Sequence, residues 1–253
     1  MDEISEDIEA GSEESERLLL ERAEAGERSR TREELLGIAS HDLRSPLANI
    51  RSYAGMILMG RGAPLDPRVK RAAQVIAKNA DRGLRQIDDL VDLLRAESGH
   101  LELDRDEAPL DELLRVAFEE ARQPAQEREV SLEWAAPGDL PTVNVDGDKL
   151  RRAVRALLDA AVRRAPQGST VRLTADARKD EIQIAVDDEG DRPDRDEVQA
   201  AFDWETQAVA SHKLAAGVSL ALAKEVAKAH GGRAGVIPGA SVGSTWFLVV
   251  PKD

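Results

Sequence analysis

The stretch that decides the first part of the fold is residues 39–58, ASHDLRSPLANIRSYAGMIL. Its apolar residues recur every three, four or seven positions, which predicts one apolar face of an α-helix over 32–60. The segment GRGAPLDP at 60–67 holds two glycines and two prolines, so we expect the helix to end there. The apolar face consists of Leu36, Leu43, Leu47, Ile50, Ala54 and Ile57.

A second helix is predicted over 68–98, and two such helices joined by a short loop form an antiparallel hairpin. A lone hairpin cannot bury both apolar stripes, so we expect two copies to form a four-helix bundle. The alternative is a hairpin packed on the rest of its own chain. The second stripe consists of Val69, Ala73, Val75, Ile76, Leu84, Ile87, Leu90, Val91 and Leu94.

One histidine stands out on the first helix because it lies on the face opposite the apolar stripe. Ser45 follows His41 by one helical turn and shares that outward face. The adjacent Asp42 can reach the imidazole, and a carboxylate that holds one tautomer favours nucleophilic attack by the ring. Pro46 lacks the amide that would bond the carbonyl of Asp42, so we expect a bend just below His41. Taken alone, an exposed histidine beside an acid is also an ordinary surface feature.

Beyond residue 98 the pattern changes, because short alternating segments now mix with amphipathic ones. This order predicts an α/β sandwich with helices on one face of a mainly antiparallel sheet. We expect strands at 127–135, at 142–146, in a hairpin at 169–188 and at 244–252, with helices at 149–164 and 215–230.

Composition narrows the class of protein. The 253 residues carry a formal net charge of −14 and no cysteine, so disulfide and thiolate chemistry are excluded. Residues 1–30 hold eleven acids and four arginines, which predicts a helical or disordered acidic segment and is unlike a signal peptide. No apolar run approaches the roughly 20 residues of a membrane span. We therefore expect a cytoplasmic protein that binds neither nucleic acid nor membrane.

Several stretches resemble a known family in the family's own order. SHDLRSPLANIRSYAGMIL resembles the phosphoacceptor box of two-component sensor histidine kinases. LRAESGHLELDRDEAPLDELL resembles the junction into their ATP-binding domain, and AKAHGGRAGVIPGASVGSTWFLVVP resembles the end of that domain. The resemblance implies a dimerisation and histidine-phosphotransfer hairpin at 31–97, a linker at 98–108 and an ATPase-like domain of the Bergerat type at 109–253.

The same resemblance implies roles for residues of the first helix. His41 would accept phosphate, and Asp42 would act as its base or orient it. Ser45 stands where a Thr or Asn of the family helps to position the water that dephosphorylates a partner. The implied partners are the receiver domain of a response regulator, a second copy of the chain, and another histidine kinase.

The ATP-binding half departs from the family pattern in its metal-binding helix. The family carries an Asn there that helps to hold Mg²⁺, and the matching position is Ala160, whose side chain offers no oxygen ligand. Asp159 is next to it but lies about 100° round the helix. Arg163 remains at a basic position that could face phosphate.

Two glycine-containing boxes of the family are also altered. Asp188, which would bind the adenine amino group, and Gly190 remain, but the second glycine of this box is Arg192. In AAGVS at 215–219 only the middle glycine, Gly217, remains. Asp188 and Gly190 therefore either support a turn alone or retain residual nucleotide binding. ATP and Mg²⁺ are the cofactors that the resemblance implies, and these losses argue against efficient ATP turnover.

Three functions stay open from the sequence. The losses in the ATP-binding half favour a degenerate histidine kinase that exchanges phosphate with a response regulator or dephosphorylates it. The second is an ATP-dependent histidine autokinase with an atypical nucleotide site. The third is a non-catalytic dimeric adaptor that docks a regulator or another kinase.

Overall fold

A computed structural model describes residues 40–60, 65–211 and 214–252. The expectations for the acidic segment and for the first turns of the predicted helix lie outside these residues. The chain forms two compact units, Met1–Gly99 and His100–Asp253.

The described residues of the first unit form two helices, α1 (described over 40–59) and α2 (Pro67–Glu97). Helix α2 begins at Pro67 because Asp66 caps it, accepting a hydrogen bond from the amide of Arg68 at 2.7 Å. The predicted helical hairpin is thereby confirmed.

Contacts between α1 and α2 fix their antiparallel pairing. Arg44 donates to Asp88 at 2.6 Å, and about two turns later Arg51 lies 3.5 Å from Asp81. Between these ion pairs a Cβ on Gly83 would lie 3.0 Å from Leu47, so this glycine allows close approach of the two helices. The hairpin's buried apolar residues are mostly small: Ala54, Ala73, Ala80, Leu93 and Leu94.

Much of the predicted apolar face remains exposed in this single chain. Leu43, Ile50 and Ile57 retain about half of their surface, and Val69, Val75 and Ile76 on α2 do the same. Such a contiguous apolar surface on a helical hairpin is unusual for a protein that acts as a monomer.

The second unit combines two sheets with five helices. The elements in chain order are β1 (Asp106–Pro109), α3 (Leu110–Glu127), β2 (Ser131–Trp134), β3 (Thr142–Val145), α4 (Gly147–Arg164), β4 (Thr170–Ala177), β5 (Glu181–Asp188), α5 (Arg195–Ala200), α6 (Trp204–Ser211), α7 (Leu214–Ala229), β6 (Arg233–Pro238) and β7 (Ser244–Pro251).

The larger sheet has the strand order β2-β4-β5-β7-β6, and only β2 and β4 are parallel. Strands β1 and β3 form a separate antiparallel pair. Helices α3, α4 and α7 pack on one another and against the larger sheet. One row of its buried face runs through Leu173, Val186, Trp246 and Val236, which pair across four adjacent strands. The mainly antiparallel α/β sandwich is confirmed.

Some predicted boundaries were wrong. The segment 127–135 is a strand only over Ser131–Trp134, because α3 continues to Glu127. Glu129 then takes a φ of 59°, and the amide of Val130 reaches back to the carbonyl of Ala125 at 2.9 Å, which closes the helix end. Strand β1 lies partly within the predicted linker, and α3, α5, α6 and β6 were not predicted.

A buried polar cluster joins the start of α4 to the end of α7. Asp146 caps α4, accepting from the Lys149 amide at 2.9 Å, the Lys149 ammonium at 2.7 Å and the Asp104 amide at 3.1 Å. His230 accepts from the Asp146 amide through Nε2 at 3.0 Å and donates from Nδ1 to the Val226 carbonyl at 2.8 Å. The imidazole is therefore held as the neutral Nδ1–H tautomer.

None of the helices in the described part of the chain is both long enough and apolar enough to span a membrane.

Candidate functional site

The predicted phosphoacceptor lies on an exposed face of α1. The side chains of His41 and Asp42 are 81% and 76% exposed, and Ser45 one turn further on is also exposed. This placement agrees with the sequence-based orientation, which put His41 opposite the apolar stripe.

The geometry of this pair leaves one ring nitrogen available for attack. Nδ1 of His41 faces Oδ1 of Asp42 at 3.5 Å, which is long for a hydrogen bond. The contact still favours the tautomer with a proton on Nδ1, so Nε2 carries the lone pair. A neutral, exposed imidazole nitrogen can attack an electrophilic phosphorus atom.

Pro46 does not interrupt α1, since the described helix runs through it from 40 to 59. The carbonyl of Asp42 nevertheless has no amide partner at this proline, because proline lacks an N–H. The Arg44–Asp88 ion pair ties α1 to α2 beside this position.

The predicted adenine-binding carboxylate lies buried at the end of β5. Asp188 is 6% exposed and accepts three hydrogen bonds. Its Oδ1 accepts from the amide of Gly190 at 2.8 Å. Its Oδ2 accepts from the Ser244 hydroxyl at 2.5 Å and from the indole N–H of Trp246 at 2.9 Å.

Each surviving glycine of the two boxes is required by a contact inside the chain. A Cβ on Gly190 would lie 2.7 Å from the Arg164 carbonyl, where β5 ends against the end of α4. A Cβ on Gly217 would lie 2.8 Å from the Cβ of Gln207 and 3.1 Å from the backbone of Trp204, where α6 packs on α7. Both glycines therefore serve packing in this structure.

The residues present do not fit a bound Mg²⁺. Ala160 is 3% exposed on the packed side of α4 and supplies no oxygen. Within the described ranges there is no group of three or more His, Asp or Glu side chains that could hold a metal ion. Arg163 and Arg192 are exposed, and the Arg163 carbonyl accepts from Arg128 at 3.0 Å.

Sequence analysis identified Asp188 but missed its partners Ser244 and Trp246. The signal was present, because β5 and β7 are antiparallel and pair the last residue of one, Asp188, with the first residue of the other, Ser244. The side chain two residues further along β7, Trp246, lies on the same face and reaches the same carboxylate.

Comparison with known families assigns both units. Residues 31–99 match the His Kinase A (phospho-acceptor) domain, and residues 145–253 match the Histidine kinase-, DNA gyrase B-, and HSP90-like ATPase family.

Individual relatives agree with this assignment. The adaptive-response sensory kinase SasA of Synechococcus sp. (strain JA-3-3Ab) is 29% identical over 95% of this chain and 64% of its own length. The sensor protein KdpD of Clostridium acetobutylicum is 26% identical over 90% of this chain and 25% of its own length. The chain thus spans between a quarter and two thirds of these relatives.

A solved structure shares the fold. The crystal structure of full-length ShkA in complex with AMPPNP superposes with a TM-score of 0.66 at 25% identity, covering 86% of this chain and 45% of ShkA. With an exposed histidine on a helical hairpin, followed by an ATPase-type sandwich, the chain belongs to the sensor histidine kinases of two-component signal transduction.

Proposed function

We propose that this chain exchanges a phosphoryl group between His41 and the receiver domain of a response regulator, without making efficient use of ATP. The observation that carries this proposal is a contrast within the chain. The His41 ring is exposed with Nε2 available, whereas Asp188 already accepts three hydrogen bonds from within the chain.

The transfer from the receiver needs only groups that the chain and the receiver supply. The Nε2 lone pair of His41 forms the N–P bond, and the bond between phosphorus and the receiver's aspartyl oxygen breaks. The receiver's carboxylate leaves as an anion, and the ring becomes cationic. Asp42 lies on the Nδ1 side, where its negative charge favours that cation. The reverse steps return the phosphoryl group to a receiver.

Ser45 has a role in the phosphatase direction of the same proposal. Its hydroxyl is exposed one turn from His41, where it can hydrogen-bond a water that attacks a docked aspartyl phosphate. Release of free phosphate from a labelled receiver measures this activity, and Ser45→Ala is expected to slow it.

We also propose that two copies pair through the hairpin into a four-helix bundle. The support is the exposed apolar surface on both helices, which pairing would cover. Light scattering on the purified chain measures the mass in solution directly. The exposed residues are Leu43, Ile50, Tyr53, Met56, Ile57, Met59, Val69, Val75 and Ile76.

AMPPNP was bound in the ShkA structure, and that complex supports a nucleotide cavity in the same part of this fold. In this chain we propose weak nucleotide binding at most, because Ala160 supplies no metal ligand and Asp188 is engaged. An active autokinase is then the outcome that the assay below must exclude.

Radiolabel transfer to the full chain tests the proposal. One arm supplies a receiver domain labelled on its aspartyl phosphate, and the other supplies γ-labelled ATP with Mg²⁺. We expect label from the receiver on the wild type and on His100→Gln, which removes an exposed histidine outside the helices. We expect none on His41→Gln.

Each arm can overturn a different part. Label on His41 from ATP would refute the loss of kinase activity while leaving His41 as the acceptor. Failure of the wild type to take label from any receiver of its own organism would refute the transfer. The adaptor function would then remain.

A further inference from the structure

The end of β5 holds a carboxylate whose hydrogen-bonding capacity is largely used by the protein itself. This inference rests on the proposed function, because it concerns the same nucleotide-site residues. A carboxylate oxygen has two lone pairs, so Oδ2 of Asp188 is filled by Ser244 and Trp246. Oδ1 retains one lone pair beside its bond from the Gly190 amide.

The indole of Trp246 occupies the position from which a third donor would have to approach Oδ2. Its nitrogen lies 2.9 Å from that oxygen, and its side chain is 5% exposed. An amino group of a base that binds Oδ2 needs the same distance to that atom, so the two donors exclude each other on this oxygen. The acceptor of this hydrogen bond is a buried carboxylate.

Packing around the indole holds it in this position. Trp246 pairs with Val186 on β5 and with Val236 on β6, both of which are buried. The ring of Phe202 lies 6.1 Å from the indole ring, tilted by 53°. The indole therefore has packing partners on both neighbouring strands and on the segment before α6.

The helix that follows Phe202 is itself fixed by packing. Helix α6 packs on α7 through Gly217, against the backbone of Trp204 and the side chain of Gln207. Gln207 also donates to the Ala200 carbonyl at 3.1 Å, which ties α6 back to the end of α5.

We propose that Trp246 is an internal substitute for adenine, with its indole N–H taking the place of the base's exocyclic amino group on Asp188. Trp246 then sets the nucleotide affinity of the site and keeps the pocket closed in the free protein. The pseudokinase character would come from this contact as well as from the missing metal ligand.

Binding of ADP without metal to the full chain, measured by calorimetry, tests this role. Trp246→Phe keeps an aromatic ring and removes the N–H donor from Asp188, together with part of the buried ring volume. We expect it to raise ADP affinity at least about tenfold over wild type, as expected for a hydrogen bond to a charged group. Trp134→Phe is the matched control, since its indole N–H binds the Ala136 carbonyl on β2's flank. We expect no change from it.

Inosine diphosphate separates hydrogen-bond competition from simple opening of the pocket. Its base has a carbonyl in place of the amino group and cannot donate to Asp188 from that position. We therefore expect the gain in Trp246→Phe for ADP but not for inosine diphosphate. An equal gain for both, or no gain for ADP, would overturn the proposal.

Replacing Trp246 with benzothienylalanine guards against a folding defect, because sulfur replaces the N–H at unchanged ring shape. The same selective gain for ADP is expected. Wild type that binds ADP as tightly as this variant would also refute the proposal. Phosphotransfer from a receiver to His41 in wild type is scored separately, so either idea can fail while the other stands.

Discussion

The two sites of this chain treat their polar side chains in opposite ways. His41 and Asp42 are exposed, with a single long contact between them. Asp188 is buried and accepts hydrogen bonds from three donors. A Cβ added at Gly190 or Gly217 would meet atoms of neighbouring elements. A group that must meet a changing partner has to stay solvated, whereas a buried group with internal hydrogen bonds contributes to the stability of the fold. The difference supports the proposal that the chain relies on His41 rather than on ATP.

The largest expected effect on stability comes from the buried carboxylate of Asp188. In Asp188→Asn the amide NH2 group faces a donor whichever way the side chain is rotated, because donors face both oxygens of Asp188. One buried donor then has no acceptor. We expect the ATPase unit to lose about 2 to 3 kcal/mol of unfolding free energy. Urea denaturation of the full chain, followed by tryptophan fluorescence, measures it.

The neighbouring acid provides the matched control. Asp187 accepts from one hydroxyl, that of Thr245, and an amide oxygen can still accept this bond. We expect Asp187→Asn to cost under about 1 kcal/mol. Equal losses for the two variants would contradict the view that Asp188 has become a structural carboxylate.

Two glycine variants, one in each unit, are expected to change the free energy of unfolding by a smaller amount and in opposite directions. Gly217→Ala brings a methyl group to 2.8 Å from Gln207, and we expect overpacking to cost about 1 to 3 kcal/mol. Gly55→Ala in α1 meets no atom within 4 Å, and higher helix propensity should stabilise the hairpin by about 0.5 to 1 kcal/mol. Thermal unfolding of both variants gives the signs. A neutral or stabilising Gly217→Ala would show that α6 does not pack there.

The smallest expected effect is a dependence on pH that the buried histidine imposes. Burial lowers the pKa of His230 below its usual 6.5, and the charges of Arg105 and Lys149 act in the same direction. The Val226 carbonyl and Asp146 oppose this without reversing it. Between 6.5 and the lower folded value the unfolded chain binds more protons, so stability falls as pH falls through 6.5.

Urea midpoints measured from neutral to mildly acid pH test this effect. His230→Gln should flatten the decline, whereas His41→Gln should not, because the His41 ring is exposed. A decline that persists unchanged in His230→Gln would assign it to other groups. Asp146 enters only in stronger acid. Burial raises the pKa of the Asp146 carboxyl, but the hydrogen bonds and the charge of Lys149 lower this pKa by a larger amount. The net pKa therefore lies below 3.8.

The sequence predicted most of the elements whose apolar periodicity is long. Helix α3 is the exception, because its buried residues recur at helical spacing and it was not predicted. Helices α1 and α2 and strands β4 and β5 carry clear stripes or alternation, so their positions followed directly. Strands β1 and β6 were missed because DEAP is only four residues long and RAGVIP contains a glycine and a proline. Helices α5 and α6 are six and eight residues long, too short for a periodic signal.

Motif positions predicted the residues of both candidate sites, but not the hydrogen bonds that the second one makes. His41 and its exposed face followed from helical geometry alone. The bond from Trp246 to Asp188 joins residues 58 positions apart and depends on the register of β5 with β7. Register of that kind is a tertiary property, which local patterns do not contain.

The three bonds on Asp188 also bear on how this lineage can change. Once Ser244 and Trp246 hold the end of β5 to β7, Ala160→Asn would add an amide oxygen but would leave these bonds on Asp188 unchanged. It would also bring an amide into a position that is 3% exposed. Under the proposed function, efficient ATP use would therefore need several coordinated substitutions, each unfavourable alone, and this requirement acts as an evolutionary ratchet.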